Sequence, residues 1–271
     1  MTCWHVVPIR FLPSYCVTAR RILVTRPAGQ AGHLCGLLET AGHEAIALPT
    51  IEILNPADSY RLEALTDTLE DYDLAVFISV NAVRMGIEFI LNEREWPGNT
   101  RIATVGASSA EALLPYGLSV DLVPEHQFSS EALLALDELQ DMSGQCVVIF
   151  RGNGGREVLR DALLARGADV DYVEVYQRAC PAVDVQYMQT LLQPDYLDCI
   201  TITSNEALQN LYAMAGPEGQ PLLLRIPLVV IGPRQATRAQ QLGFAQEPVI
   251  AANASDEAIV AAIQQRHYPN N

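Results

Sequence analysis

The sequence predicts an α/β protein of two similar halves, each a parallel sheet with helices on both faces. Three observations carry this. Short apolar runs alternate with stretches of helical period, the pattern of parallel strands joined by helical crossovers. The connections between them are short. The chain also repeats itself: Ile22-Leu-Val-Thr-Arg26-Pro-Ala-Gly29 is echoed by Val147-Val-Ile-Phe-Arg151-Gly-Asn-Gly154, and Phe77-Ile-Ser-Val-Asn81-Ala by Thr201-Ile-Thr-Ser-Asn205-Glu-Ala207. Likewise Ile102-Ala-Thr-Val-Gly106 returns as Leu228-Val-Val-Ile-Gly232, and Ser129-Ser-Glu131-Ala132 as Ser255-Asp-Glu257-Ala258, all at offsets of 124–126 residues.

Residues 21–25 are a β-branched run and read as a buried strand. Arg26-Pro27 turns the chain. Over 31–41, Leu34, Leu37, Leu38 and Ala41 recur at helical spacing, and Gly42 is a natural C-cap. A second strand over 44–48 ends at Pro49-Thr50, and 51–56 is extended. The spacing then predicts helix 59–71, strand 74–78, helix 81–91, strand 101–105, helix 108–114 ending near Gly117, strand 118–123 and helix 130–139. The second half gives strand 146–150, helix 155–166 capped by Gly167, strand 170–176 and helix 187–193. Strand 199–203, helix 207–215, strand 228–231, helix 234–242 ending at Gly243 and helix 255–266 follow.

A chain of 271 residues, 49% hydrophobic, is ample for two domains with real cores. Its 17 Lys and Arg against 32 Asp and Glu give a net charge of −15. That argues against nucleic acid and against an anionic membrane surface as partners. No segment reaches the ~20 apolar residues of a membrane helix. Residues 1–20 are mildly apolar but interrupted by Pro8, Arg10 and Pro13, and lack the long apolar region of a signal peptide. They read as a disordered tail, or as an upstream misreading of the start, and the location expected is cytoplasmic. The six cysteines form no CxxC pair and no disulfide is expected; Cys146 and Cys199 read as buried thiols. The five histidines are scattered, and no metal site is expected.

In open parallel sheets, ligands gather beyond the C-terminal ends of the strands, where helix N-termini offer free N–H groups. This chain puts small polar residues there: Ser79 and Asn81; Gly106, Ser108 and Ser109; Thr203, Ser204 and Asn205; Gly232 and Gln235. Arg26 and Arg151 stand at two further strand ends, the latter leading into Gly152-Asn153-Gly-Gly155. Ordinary helix capping explains any one of these turns. The set repeated in both halves points instead to a ligand, and glycine turns beside arginines suit carboxylates or phosphates. Two such rims facing each other would make a cleft. The glycine loop is neither GxGxxG nor GxxxxGK[ST], and no acidic ribose partner stands out, so a nucleotide is disfavoured. GxSxG is absent.

Several of these segments together resemble uroporphyrinogen-III synthases: Ile22-Leu-Val-Thr-Arg-Pro with the Gly42 turn and Leu48-Pro49, Phe77-Ile-Ser-Val-Asn-Ala-Val, Gly167-Ala-Asp-Val-Asp-Tyr-Val-Glu-Val-Tyr176-Gln-Arg, and Ile231-Gly-Pro with Ala236. The resemblance runs from about residue 21 to 263. It implies a discontinuous first domain, 21–50 with 177–271, a second domain, 56–172, and linkers 51–55 and 173–176 forming a two-stranded hinge. The sequence repeats would then not coincide with the domains. The family converts hydroxymethylbilane to uroporphyrinogen III, on the way to haem, with no metal or organic cofactor. Water leaves from the hydroxymethyl group of ring A, and the far ring closes the macrocycle turned over, through a spiro intermediate. The bilane alone cyclises to the unflipped isomer. The substrate carries eight carboxylates, which suits amide-rich rims.

Carried over by position, Tyr176 is the candidate catalytic residue, a phenol that helps the hydroxyl leave. The alternative is a tyrosine merely packed at the hinge. Substrate contacts fall on Arg26, Ser79, Asn81, Gly106, Ser109, Arg151, Gly152, Asn153, Thr203, Ser204, Asn205, Gly232 and Gln235. Arg234 is a further charge nearby. Ser109 and Gln235 stand where threonine is common in the family; Ser109 keeps the hydroxyl and Gln235 does not. The partner expected is the small linear tetrapyrrole, bound by a monomer. Two competing readings are a non-catalytic two-lobed binding protein for a polyanion and a nucleotide-dependent transferase; the first lacks a secretion signal, the second a phosphate loop.

Overall fold

The computed structural model describes residues 19–126 and 128–265. The reading of residues 1–20 as a disordered tail or a misread start lies outside the described residues over 1–18, as do Cys3, Cys16, His5 and His267, while Arg20 at its end is placed, its Nη1 donating to the Ile263 carbonyl at 3.0 Å. The chain divides into two units: one runs to Ile51 and resumes at Cys180, the other is Glu52–Ala179.

The first unit opens with β1 (Arg21–Val24), α1 (Ala28–Thr40) and β2 (Glu44–Ala47). The second contains β3 (Glu52–Leu54), α2 (Tyr60–Asp67), β4 (Leu74–Phe77), α3 (Val80–Glu93), β5 (Arg101–Thr104), α4 (Ala107–Glu111), α5 (Ser130–Leu134), β6 (Cys146–Gly152), α6 (Val158–Ala165) and β7 (Asp169–Ala179). The chain then completes the first unit with α7 (Val185–Leu191), β8 (Cys199–Ile202), α8 (Asn205–Met214), α9 (Gly216–Leu223), β9 (Leu228–Val230), α10 (Pro233–Leu242), β10 (Val249–Ile250) and α11 (Asp256–Gln265).

The first unit's sheet has the order β10-β9-β8-β1-β2, and every pairing in it is parallel. The second has β3-β7-β6-β4-β5, parallel except for β3, which runs antiparallel to the end of β7. By their sequence echoes, β1 answers to β6, β4 to β8 and β5 to β9. Read that way, the two sheets have one ladder, which the chain enters at different points. The first repeat supplies β1 to one unit and β4 and β5 to the other; the second supplies β6 to one and β8 and β9 to the other.

Side chains alternate across each strand and so feed two apolar layers per sheet. In the first unit, Leu23, Ile200, Ile202 and Val230 meet α7, α8 and α10, while Ile22, Val24 and Val229 meet α1 and α11. In the second, Phe77, Val148 and Phe150 meet α2 and α3, while Val76, Val147 and Ile149 meet α5 and α6.

The structure departs from the sequence reading in places. Residues 118–123 form no strand; a single bridge joins Leu122 to Ala103. Helix 59–71 breaks at Thr68, and helix 130–139 at Leu136, whose backbone is extended. Helix 155–166 starts at Val158, because Gly154 and Gly155 hold φ of 67° and 113°, the left-handed region that glycine adopts freely. Of the two linker segments, Glu52–Leu54 pairs antiparallel with Gln177–Ala179 at the unit boundary, a few residues beyond the 173–176 expected, and 173–176 themselves lie within the β6–β7 ladder. Cys199 is buried, but Cys146 is only half-buried. Helix α9 escapes a sequence reading because Pro217, Gly219 and Pro221 all argue against it. It forms because Pro217 sits in the first turn, where no N–H is needed, and Gly219 admits Leu192, 2.8 Å from where a Cβ would stand.

Candidate functional site

Parallel strands end on one edge. In the second unit the register sets Phe77 beside Thr104 and Phe150, and Gly152 beside Tyr176. Ser79, Gly106, Gly152 and Tyr176 therefore share that unit's C-terminal edge. Tyr176 is on β7, with β6 between it and β4. Its side chain lies across the end of β6, and its hydroxyl meets Ser79 Oγ at 3.1 Å. Gly152 is what lies beneath: a Cβ there would stand 2.5 Å from ring carbons Cε2 and Cζ. The β6–β7 register shifts between Arg151 and Gly152, which brings Gly152 opposite Tyr176. Ser79 is the N-cap of α3, its Oγ accepting from the Ala82 N–H at 3.1 Å. Tyr176 is only 5% exposed, and its ring joins the apolar layer of Phe77, Val83 and Phe150.

The loop after β6 fixes the same tyrosine from its backbone. The Asn153 N–H donates to the Tyr176 carbonyl at 3.0 Å, and Asn153 Oδ1 accepts from the Arg178 N–H at 2.7 Å. Arg151 is 3% exposed and turns inward. Its guanidinium donates to Glu157 Oε1 at 3.1 Å and to the carbonyls of Gly152 and Gly154, and lies 4.5 Å over the Tyr172 ring. Burial, and then a hydrogen bond with Glu157, push the Tyr172 phenol above its ordinary pKa. Arg151 thus holds the loop together; the free positive charge expected of it is taken up internally. Gly106, extended at φ −171°, caps α4, with Phe128 3.1 Å from its would-be Cβ. Ser109 is buried within α4, and Asn81 is half-buried in the first turn of α3.

In the first unit, Val24 lies beside Thr201 and Ile202 beside Val230, which gathers Arg26, Thr203–Asn205 and Gly232 on its own C-terminal edge. Ser204 caps α8 by accepting from the Ala207 N–H at 3.0 Å. Asn205 Oδ1 is buried without a hydrogen-bond partner among the described residues. Gly232 caps α10, with Gln235 Oε1 3.3 Å from its would-be Cβ. Arg26 is engaged: its Nη2 meets Asp256 Oδ1 at 2.6 Å, while His33 Nδ1 meets Asp256 Oδ2 at 2.7 Å. Sequence reasoning misses His33 and Asp256 as rim residues. The signal is present, since Asp256 opens a helix, where a carboxylate is favoured, and lies inside a repeated motif. Each predicted set thus collects on the expected edge of its own unit, with both arginines already paired.

Among the described residues, no group of three or more His, Cys, Asp or Glu is placed to hold a metal, and no helix is long and apolar enough to cross a membrane. A family model for uroporphyrinogen-III synthase HemD matches residues 33–261. The chain belongs to the uroporphyrinogen-III synthase family. It is 34% identical over 246 residues to the uroporphyrinogen-III synthase of Escherichia coli K12, covering 90% of this chain and 99% of that one. It is also 34% identical over 246 residues to the Salmonella typhimurium LT2 synthase, with the same coverage of 90% and 99%. Among solved structures, uroporphyrinogen III synthases from Thermus thermophilus and Helicobacter pylori each match with a TM-score of 0.60 at 17% identity. These span 91% of this chain and 96% and 100% of theirs, which fixes the family's fold for it.

Proposed function

We infer that this chain carries out the reaction of its family, closing hydroxymethylbilane to uroporphyrinogen III in haem biosynthesis. The observation that carries the reading is that family membership spans both units, with the repeated polar turns on the C-terminal edge of each. As a chemical class the reaction is a carbon–oxygen hydro-lyase step that we read as needing neither metal nor organic cofactor, performed by a monomer.

On this reading the helix N-termini of α3, α4, α8 and α10 take the substrate's carboxylates, because their first N–H groups have no partner within the helix and the helix dipole favours an anion there. Asn81, Ser109, Thr203, Asn205 and Gln235 add side-chain donors and acceptors. Arg26 and Arg151 act indirectly, by holding the loops that shape the two rims. Tyr176 gives its proton to the hydroxymethyl oxygen on ring A; that group's carbon–oxygen bond breaks and water leaves. The far ring attacks the resulting electrophilic methylene through the spiro intermediate, and the proton it sheds returns to the Tyr176 phenolate. Because the bilane closes unaided to the wrong isomer, holding it in one geometry is the larger part of the catalysis.

The test is to mix the protein with freshly made hydroxymethylbilane and separate the uroporphyrinogen isomers. Isomer III should predominate. Isomer I alone, as in buffer, would leave a binding protein for polyanions in place of the enzyme.

A further inference from the structure

We propose that Gly152 and Ser79 are positioning residues for Tyr176: a side-chain-free gap at the end of β6 lets the phenol lie across that strand, and the cap of α3 fixes where its hydroxyl points. The proposal rests on the catalytic reading of Tyr176 and assigns these two residues a task other than substrate binding.

The strand order makes the gap necessary. Tyr176 is two strands from β4, so its ring reaches α3 only by crossing the end of β6. Gly152 is the residue crossed, and any side chain there would occupy the ring's own place, 2.5 Å from two of its carbons. The backbone there has no left-handed φ, so conformational freedom is not the reason for a glycine. The close approach is.

The hydroxyl is held by an equally specific chain. A serine oxygen has two lone pairs and one proton. The Ala82 N–H occupies one lone pair and so orients Ser79 against α3. What remains faces Tyr176 Oη at 3.1 Å. With Asn153 gripping the tyrosine's carbonyl, the residue is fixed at its backbone, its ring and its hydroxyl. Tight packing alone would account for the ring; it does not account for a polar tip delivered to a helix cap on the ligand-binding edge. A displacement of about 1 Å in a reacting group is enough to cost on the order of a hundredfold in rate.

The experiment uses the full chain with hydroxymethylbilane. Tyr176→Phe should lower kcat at least tenfold with little change in melting temperature. Gly152→Ala should lower kcat at least fivefold while KM stays within twofold. In the double variant Gly152→Ala/Tyr176→Phe, kcat should match that of Tyr176→Phe within twofold, since no hydroxyl remains to be displaced. Ser79→Ala should behave like Gly152→Ala, and Ser79→Thr, which keeps the hydroxyl, should restore activity to within threefold of the wild type. A double variant slower than Tyr176→Phe by the whole Gly152→Ala factor would overturn the proposal. So would an unaffected Gly152→Ala, or an unaffected Tyr176→Phe in an active wild type. If Gly152→Ala fails to fold, the contrast between Ser79→Ala and Ser79→Thr decides, and equal loss in both contradicts the proposal. A wild type that forms only isomer I refutes the reaction itself, before any variant is compared.

Discussion

His43 is buried between α1 and β2, and among the described residues neither of its ring nitrogens has a hydrogen-bond partner. Burial first, and the nearby Arg20 charge second, lower its pKa below 6.5, while Asp198 works the other way. The fold therefore favours the neutral ring. The unfolded chain takes up the proton more readily, so the stability held by neutral His43 is present above about pH 6.5 and is lost as the pH falls below it. The melting temperature should drop between about pH 7 and pH 5. His43→Leu, which removes two orphaned polar atoms, should flatten that drop; an equally steep drop in the variant would show that other groups set it. None of this is legible in the sequence, because a histidine scattered along a chain says nothing about its burial. Tyr176 is legible through a family resemblance, but its bond to Ser79 is not: the two are 97 residues apart, and only the strand order brings them together.

Caps and edges govern at the scale of the element. Ser79, Ser129 and Ser204 each accept from the N–H three residues on, at 3.1, 3.1 and 3.0 Å. Such a cap contributes about 1 kcal/mol. Ser204→Ala should accordingly lower stability by about 1 kcal/mol in denaturant melts, and also raise KM for the bilane if Ser204 meets a carboxylate. A stability loss with unchanged KM would confine Ser204 to its capping task. Long periodic helices such as α3 and buried strands such as β4 are readable because burial imposes one period on many residues. The failures share a cause. Residues 118–123 look like a strand, yet lie beside the edge strand β5 and keep one bridge. Helix α9 carries two prolines and is held by its packing, its own Leu223 being fully buried in the first unit's core. Tertiary packing decides such marginal segments.

At the scale of the molecule, the duplication is legible and its wiring is not. Periodicity reveals two sets of βα units; no spacing could say that β1 joins β8 while β6 joins β4. That follows from pairing, which is a long-range property. The outcome is two sheets with the same ladder, each ending in glycine and serine caps along one edge. The central claim is that the capped C-terminal edge of each sheet binds carboxylates. It is tested most directly by titrating the protein with uroporphyrinogen III under anaerobic conditions and following its amide chemical shifts by NMR. The N–H signals of Val80 and Asn81, Ala107 and Ser108, Asn205 and Glu206, and Arg234 and Gln235 should shift as the ligand is added. Those at the opposite ends of the strands, at Arg21, Glu44, Leu74 and Arg101, should stay in place. Cap signals that stay in place, or shifts centred on those opposite ends, would contradict the account.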